Sequence, residues 1–391
     1  MHNSALHIIW LVLQLCIGYN LVFPLILYIF FLLRKLFTHT DKKSLPINTE
    51  ADYGIIVTAY EQTHMLHAVV LSLLKLNYTN YIIYIVADKC DITNLQFEDN
   101  RVVVLRPEQT LASNTRSHFY AINRFVRAHE RLTIIDSDNL ADKEYLNQLN
   151  KEFDKGFIAV QGRRDAKNLD TTYACLDAAR DIYYHFYDGK MLFEAGSSAT
   201  LAGSGMAFTT QLYKDSLESL DITGAGFDKV LQYHIVNSGK RIAFAGDAIV
   251  YDEKTTHADQ LVKQRARWIN TWFKYFKFGF NLIGKGIVRF NWNELLFGII
   301  LLRPPLFIFL ILSILFLFIN LFIAPIAAAI WAAGIGLFIC GFLLALAKGH
   351  TNEKIYRSLK NIPKFMFWQV MSLMKVRNAN KHSVATRRRD G

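Results

Sequence analysis

Leu132-Thr133-Ile134-Ile135-Asp136-Ser137-Asp138 is a short β-branched apolar run that ends in two carboxylates one residue apart. A run of this length and composition reads as a buried strand. Its acidic end marks the edge at which a parallel sheet opens toward a ligand. Outward from this stretch, similar runs recur at 53–60, 81–87 and 101–105, with helical spacing over 63–76 and 114–129. The alternation predicts an α/β domain with a mostly parallel sheet and crossover helices. Thr58-Ala59-Tyr60-Glu61, Asp88 and Asp136-Ser137-Asp138 all fall at predicted strand ends, so three polar groups converge on one edge.

The flanks are of a different kind. The chain has 391 residues and is 52% hydrophobic, too apolar for an ordinary soluble enzyme, and the apolar residues concentrate toward its ends. The run 7–33 is too long for the apolar part of a signal peptide, lacks a basic leader and is followed by Arg34-Lys35. It reads as an uncleaved anchor helix that tolerates Pro24. The zone 295–347 is long enough for two spans with a break near Asn320-Pro325, preceded by a short in-plane helix before Arg303-Pro304-Pro305; a third full span in this zone is the alternative. The boundaries expected are 1–36 for the anchor, 37–285 for the α/β domain with an interfacial helix at its end, 286–348 for the later apolar helices and 349–391 for a basic tail.

The net charge of +11 lies largely beside the apolar runs. That points to anionic lipid rather than nucleic acid, for which no recognition signature is present. Arg34, Lys35, Lys42 and Lys43 follow the first span, Lys348, Lys354, Arg357 and Lys360 follow the last, and the turn near Asn320 is uncharged. A multi-pass protein of the cell (inner) membrane is expected, with its N-terminus external and its central domain and C-terminus cytoplasmic. Cys16, Cys90, Cys175 and Cys340 are scattered without zinc or disulfide spacing, as in a reducing compartment.

Several residues can carry chemistry. Asp136 and Asp138 supply hard oxygen ligands for Mg²⁺ or Mn²⁺ on a diphosphate. Asp228 opens a predicted helix after Gly224-Ala225-Gly226-Phe227 and reads either as a partner of the helix dipole or as a general base. Gln264, Arg267 and Trp268 lie three and four residues apart on a predicted helix 257–280, where Arg267 would meet a diphosphate and Trp268 a sugar ring. Trp268, Trp272 and Phe276 also suit a helix lying on a membrane. Gly203-Ser204-Gly205 allows backbone to approach an acceptor and equally reads as a turn before a strand.

In this order the elements resemble the membrane-integrated, inverting family 2 glycosyltransferases, whose members include cellulose, chitin-oligosaccharide, hyaluronan and poly-N-acetylglucosamine synthases. The resemblance covers about 50–285, and Gln264-Arg265-Ala266-Arg267-Trp268 is its most specific element. It implies a GT-A domain that uses a UDP-sugar. Thr58, Ala59, Tyr60 and Glu61 would lie on the donor side and Asp88 would contact the nucleotide. Asp138, with Asp136, would serve metal and diphosphate, and Asp228 would be the catalytic aspartate. Arg267 would bind diphosphate, and Gly203, Ser204, Gly205, Gln264 and Trp268 the acceptor. The chain departs from the pattern at Phe227, where an acidic residue is expected, at Ala87, where a first aspartate is common, and at His118, where a lysine is usual. Thr386-Arg387 in the basic tail stands where such synthases carry a gating segment.

The expected function is a membrane-bound inverting glycosyltransferase that moves a sugar from a nucleotide sugar to a polysaccharide or lipid-linked acceptor, with a second copy or an export partner completing any channel. The rival is a non-catalytic membrane scaffold that keeps the fold for binding.

Overall fold

The computed structural model describes residues 2–37 and 50–376. Lys42, Lys43 and Thr386-Arg387 lie outside the described residues. The first helix, α1 (His2–Phe37), carries Pro24 in its interior and Arg34 and Lys35 in its last turn.

The central domain alternates as expected. It runs β1 (Tyr53–Tyr60), α2 (Leu66–Leu74), β2 (Tyr81–Asp88), β3 (Val102–Leu105), α3 (Asn114–Ile122) and β4 (Arg131–Asp136). β1 pairs in parallel with both β2 and β4, and β2 with β3. The register sets Thr58 beside Asp136 and Tyr60 beside Asp88, which aligns the polar strand ends on one edge. Ile56, Tyr84 and Ile134 pack on one face, while Ile55, Ile83 and Ile135 pack on the other. Burial on both faces explains why these strands read as unbroken apolar runs.

The chain continues through β5 (Leu140–Ala141), α4 (Tyr145–Phe153), β6 (Ala159–Ala166), α5 (Thr172–Tyr184), a π-helical stretch (His185–Met191), α6 (Leu192–Glu194), β7 (Met206–Thr209), α7 (Thr210–Leu217), α8 (Phe227–Asn237) and β8 (Ala243–Asp252). The described residues form an eight-stranded sheet of order β3-β2-β1-β4-β7-β6-β8-β5, in which β7 runs antiparallel to β4 and β6, and β5 antiparallel to β8. This is a GT-A-like α/β fold with a mostly parallel sheet.

Two helices are shorter than their spacing predicts. The stretch 114–129 leaves the helix at Ile122, because the residues beyond it are taken by tertiary contacts. Val126 donates its N–H to Tyr84 at 3.0 Å, and Arg127 pairs with Asp52 at 2.8 Å. The predicted helix 257–280 divides at Phe276 into α9 (Ala258–Tyr275) and α10 (Lys277–Val288). α10 turns back along α11 (Trp292–Leu302) so closely that a Cβ on Gly279 would lie 2.7 Å from the Gly298 carbonyl oxygen.

α11 is too short to cross a bilayer, but α12 (Leu306–Ile323) and α13 (Pro325–Lys348) are not, so with α1 three helices among the described residues are long and apolar enough to span. Gln14 Oε1 accepts from Asn320 Nδ2 and from Trp331 Nε1, each at 2.7 Å, which ties these three helices together. The chain returns through α14 (Glu353–Ser358) to α15 (Ile362–Leu373), which packs beside α9.

Gly205 is the residue through which the loop before β7 enters the sheet. It donates to the Ile134 carbonyl at 2.9 Å and accepts from the Gly162 N–H at 2.8 Å. Its φ is +66°, and a Cβ there would lie 2.8 Å from Val250. Gly205→Ala is expected to cost about 1–3 kcal/mol of stability. It should lower the thermal unfolding temperature of the purified protein by several degrees, whereas Gly203→Ala, with no atom within 4 Å of its Cβ position, should lower it less.

Candidate active site

The site grows from the end of β4. The Asp136 N–H donates to Ser204 Oγ at 3.0 Å, and Asn139 Nδ2 donates to the same oxygen at 2.8 Å. Ser204 is fully buried and is held in turn by Gln161 Nε2, which donates to its carbonyl at 3.1 Å. The Gly203-Ser204-Gly205 stretch therefore serves mainly as a pin that sets the Asp136–Asp138 turn. Gly203 alone of the three lines the cleft. The expectation that Ser204 and Gly205 face an acceptor is corrected by their burial in the sheet.

A cleft of about 480 Å³ opens in front of this turn. Asp136, half-buried, stands on its wall, and Asp138 is buried behind it. Among the described residues no group of three or more His, Cys, Asp or Glu is arranged to hold a metal. Two hard carboxylates fit a Mg²⁺ or Mn²⁺ ion that takes its other ligands from a diphosphate and water.

Asp228 enters the same cleft from the first turn of α8. The helix starts at Gly226, whose φ is +104° and whose missing Cβ would meet Tyr275 at 2.6 Å and Thr271 at 2.7 Å. Only glycine lets α9 lie against this turn, and that contact brings Asp228 to the helix bearing Gln264 and Trp268. Lys229 Nζ lies 3.2 Å from Asp228 Oδ2 and donates to the Leu201 carbonyl at 3.1 Å. Asp228 is thus an oriented carboxylate on a ligand-sized cavity, beyond any role at the helix end.

Two departures from the family pattern meet in space. The rings of Phe227 and His118 lie edge to face with centroids 5.0 Å apart. His118 Nδ1 is 2.7 Å from the Tyr213 hydroxyl, and burial pulls its imidazole down to about 3. An uncharged aromatic contact stands where acid and lysine are expected.

The opposite wall is a buried ion network that the sequence reading missed. Arg164 of β6, Arg180 of α5, Lys254 after β8 and Arg265 of α9 surround Asp177 and Asp181 of α5 and Asp252 of β8. Arg265 pairs with Asp177, Lys254 and Arg180 with Asp181, Lys254 with Asp252 at 2.5 Å, and Arg180 with Asp177 at 3.1 Å. Arg164 lies 3.9 Å from Asp181 and 3.8 Å from Asp252. Four cations against three carboxylates leave this wall cationic. The available signals were the Asp177-x-x-Arg180-Asp181 spacing on one helix face and Asp252-Glu253-Lys254 at a strand end.

On α9, Gln264, Arg265 and Trp268 line the cleft. Arg267, expected to meet a diphosphate, is not among the residues lining the cleft; Arg265, two residues earlier and about 200° around the helix, is the α9 guanidinium on its wall. The Trp268 ring carries guanidinium carbons of Arg265 at 4.1 Å and Arg180 at 4.3 Å. Gln264 Oε1 accepts from the Thr255 hydroxyl at 3.1 Å.

Thr58, Tyr60 and Asp88 share the sheet edge of Asp136 through the strand register, with Ala59 and Glu61 adjoining them in the chain, but none of the five lines the cleft. Both Asp88 oxygens are engaged by backbone, from Leu111 at 2.9 Å and Ala112 at 2.7 Å, so in this structure Asp88 clamps the loop before α3. Glu61 pairs with Lys89 at 2.7 Å on the surface.

Residues 51–271 match glycosyltransferase-like family 2. The chain belongs to this family. Among solved structures, the mannosyltransferase PcManGT from Pyrobaculum calidifontis, in complex with GDP-Man and Mn²⁺, is similar at 13% identity and a TM-score of 0.51, covering 92% of this chain and 97% of that one. At that identity the likeness shows the fold. No protein among those of curated function matches the chain. For this family 2 domain the match ends in α9, so it takes in β4, the Asp228 turn and the Gln264–Trp268 helix together.

The ion network makes the domain acid-sensitive in a defined direction. Burial raises the carboxyls of Asp177 and Asp181, but Arg265 and Arg180 beside the first, and Arg180 and Lys254 beside the second, outweigh it and hold both below the usual range. Depressed folded values stabilise the protein above the unfolded value of about 4, and that contribution is lost as pH falls through the folded values. Arg265→Gln, which leaves Asp177 to Arg180, should cost up to about 3 kcal/mol. Thermal unfolding from neutral pH downward should show the wild type losing stability below about pH 4, with the variant starting lower and losing less.

Proposed function

We propose that the protein is an integral membrane, inverting, metal-dependent glycosyltransferase that transfers a sugar from a nucleotide sugar to a hydroxyl of a saccharide or lipid-linked acceptor. The observation that carries this reading is that Asp136 and Asp228, set by separate elements, line one cleft with a cationic wall. Membership of family 2 supports it.

In this mechanism Asp228 accepts the proton of the acceptor hydroxyl. The oxygen attacks the anomeric carbon from the side opposite the diphosphate, the new carbon–oxygen bond forms as the bond to diphosphate breaks, and the electron pair leaves with the nucleoside diphosphate. Asp136 and Asp138 would hold a Mg²⁺ or Mn²⁺ ion, which when bound neutralises charge on the leaving diphosphate. Arg265 and Lys254 present fixed positive charge to the same group. Gln264 and Trp268 stand on the acceptor side, and Thr58, Ala59, Tyr60, Glu61 and Asp88 on the nucleotide side. UDP is the nucleotide the family resemblance favours. The GDP-Man bound by PcManGT makes a GDP-sugar the second reading.

Release of nucleoside diphosphate from a panel of UDP- and GDP-sugars, with Mn²⁺ or chelator, tests the reaction. Asp228→Asn should lower transfer by about a hundredfold to ten-thousandfold while donor affinity stays within about tenfold. Near-normal transfer would remove Asp228 from the mechanism.

The basic residues Arg34, Lys35, Lys348, Lys354 and Arg357 favour a cytoplasmic catalytic domain in the inner membrane, with an external N-terminus. Three spans form a narrow scaffold, so a second copy or an export partner would complete any channel. Reporter fusions should place the C-terminus inside and an insertion at Asn320 outside; an external C-terminus would overturn this topology.

A further inference from the structure

The cleft continues past the carboxylates. Its far wall is formed by Leu301, Pro304, Leu306 and Phe307, where α11 gives way to the candidate span α12. Arg303 sits at that junction. Its side chain is 4% exposed and pairs with Asp188, and its Nη1 has no hydrogen-bond partner among the described residues. A buried donor on a cavity wall without an acceptor carries a desolvation cost that an anion in the cavity relieves. The same turn is the start of α12, an 18-residue helix with no side chain capping it. Leu306 N–H, at its first turn, donates over a long 3.4 Å to the Tyr184 hydroxyl. An uncapped helix start beside a buried guanidinium is a place for a phosphate.

This corner is tied to the reacting end. Asp188, which holds Arg303, is also drawn by Lys229, the residue 3.2 Å from Asp228. Burial pushes the Asp188 carboxyl above its ordinary range against the pull of Arg303 and Lys229, which lessens its repulsion of an incoming phosphate. Asp228 and Arg303 therefore bracket one length of the cleft. Beyond Arg303 the wall is apolar and runs into a helix of membrane length. Phe280, Phe290 and Trp292 are exposed on the neighbouring α10–α11 hairpin, as residues at a lipid interface are.

Resting on the glycosyltransferase reading above, we propose that the acceptor is a saccharide joined to a membrane lipid through a phosphate ester. Its phosphate lies on Arg303 Nη1 and the start of α12, its hydroxyl reaches Asp228, and its hydrocarbon tail leaves past Leu301, Leu306 and Phe307 into the bilayer. A soluble saccharide or a free phosphate would leave that apolar wall facing water.

The test is binding to the full-length protein in detergent micelles, without nucleotide sugar. The probes are a polyprenyl phosphate, the corresponding polyprenol and inorganic phosphate. The phosphate-bearing lipid should bind at least about tenfold more tightly than either of the others, since a hydrogen bond to a charged group supplies that much. Arg303→Lys keeps a cation for Asp188 but lacks the second guanidinium nitrogen, and should weaken that binding by about tenfold. If Arg303→Lys does not fold, judged by its melting curve, Arg303→Gln combined with Asp188→Asn removes both charges together and should show the same loss. Equal binding of polyprenol would reduce the site to a tail groove, and equal binding of inorganic phosphate would reduce it to a free anion site. Unchanged affinity in the variants would take Arg303 out of it. Each of these results overturns the proposal. Failure of the wild type to release nucleoside diphosphate from any donor would instead count against the transferase reading, and the binding result would stand apart from it.

Discussion

Burying Asp177 and Asp181 on α5 is the constraint around which the rest of the site is arranged. Two carboxylates that close together inside a protein repel one another and lose their hydration, so they are tolerable only if cations reach them from several directions. Those cations come from β6, from the segment after β8, from α5 itself and from α9. Satisfying the carboxylates therefore fixes the ends of two strands against two helices. It also leaves a cationic surface on the cleft, since the cations exceed the carboxylates they serve. A structural requirement and the cationic wall of the cleft are the same group of side chains.

A second joint links this domain to the apolar helices. The π-helical stretch His185–Met191 places Asp188 on Arg303 and lets the Tyr187 hydroxyl donate to the Gly341 carbonyl of α13 at 2.8 Å. Arg34 at the end of α1 donates to the Glu194 carbonyl at 2.8 Å just beyond it. Irregular helix of this kind often marks functional positions. Here the wider turn directs successive side chains both to the cleft and to the spans, so the catalytic domain is held against the bundle by specific polar contacts as well as apolar packing.

Much of the fold was legible because its central strands are buried on both faces. The runs ending at Tyr60, Asp88 and Asp136 are mostly apolar, and β2 and β4 each end at their first carboxylate, Asp88 and Asp136. The break at Arg303-Pro304-Pro305 was legible because proline cannot continue a helix. The strands β6 and β7 were not legible. β6 ends in Gly162-Arg163-Arg164-Asp165, whose charges read as surface until their partners on α5 and β8 are known, and β7 is four residues of a mixed pairing. Ser204 was recognised as part of a special loop but assigned to the acceptor, since nothing local shows that its hydroxyl faces Asp136. Arg265 lines the cleft and Arg267 does not because two residues are about 200° of helix rotation, and spacing alone does not show which side of α9 faces the cleft. The Phe227–His118 contact was visible only as two separate oddities until the fold brought them together.

Gln14 has a consequence for how the protein comes to be made. Its side-chain oxygen serves donors from Asn320 and Trp331, 306 and 317 residues further along the chain. In hydrocarbon a carboxamide without partners is unfavourable, and α1 leaves the ribosome long before either partner exists. If the three candidate spans are membrane-inserted as proposed, the first helix enters the bilayer with this group satisfied only by its own backbone or by water. Arrival of α12 and α13 closes the junction. On that reading, a chain truncated before α12 and α13 would keep the Gln14 carboxamide without these two partners in lipid, which distinguishes an unfinished bundle from a complete one.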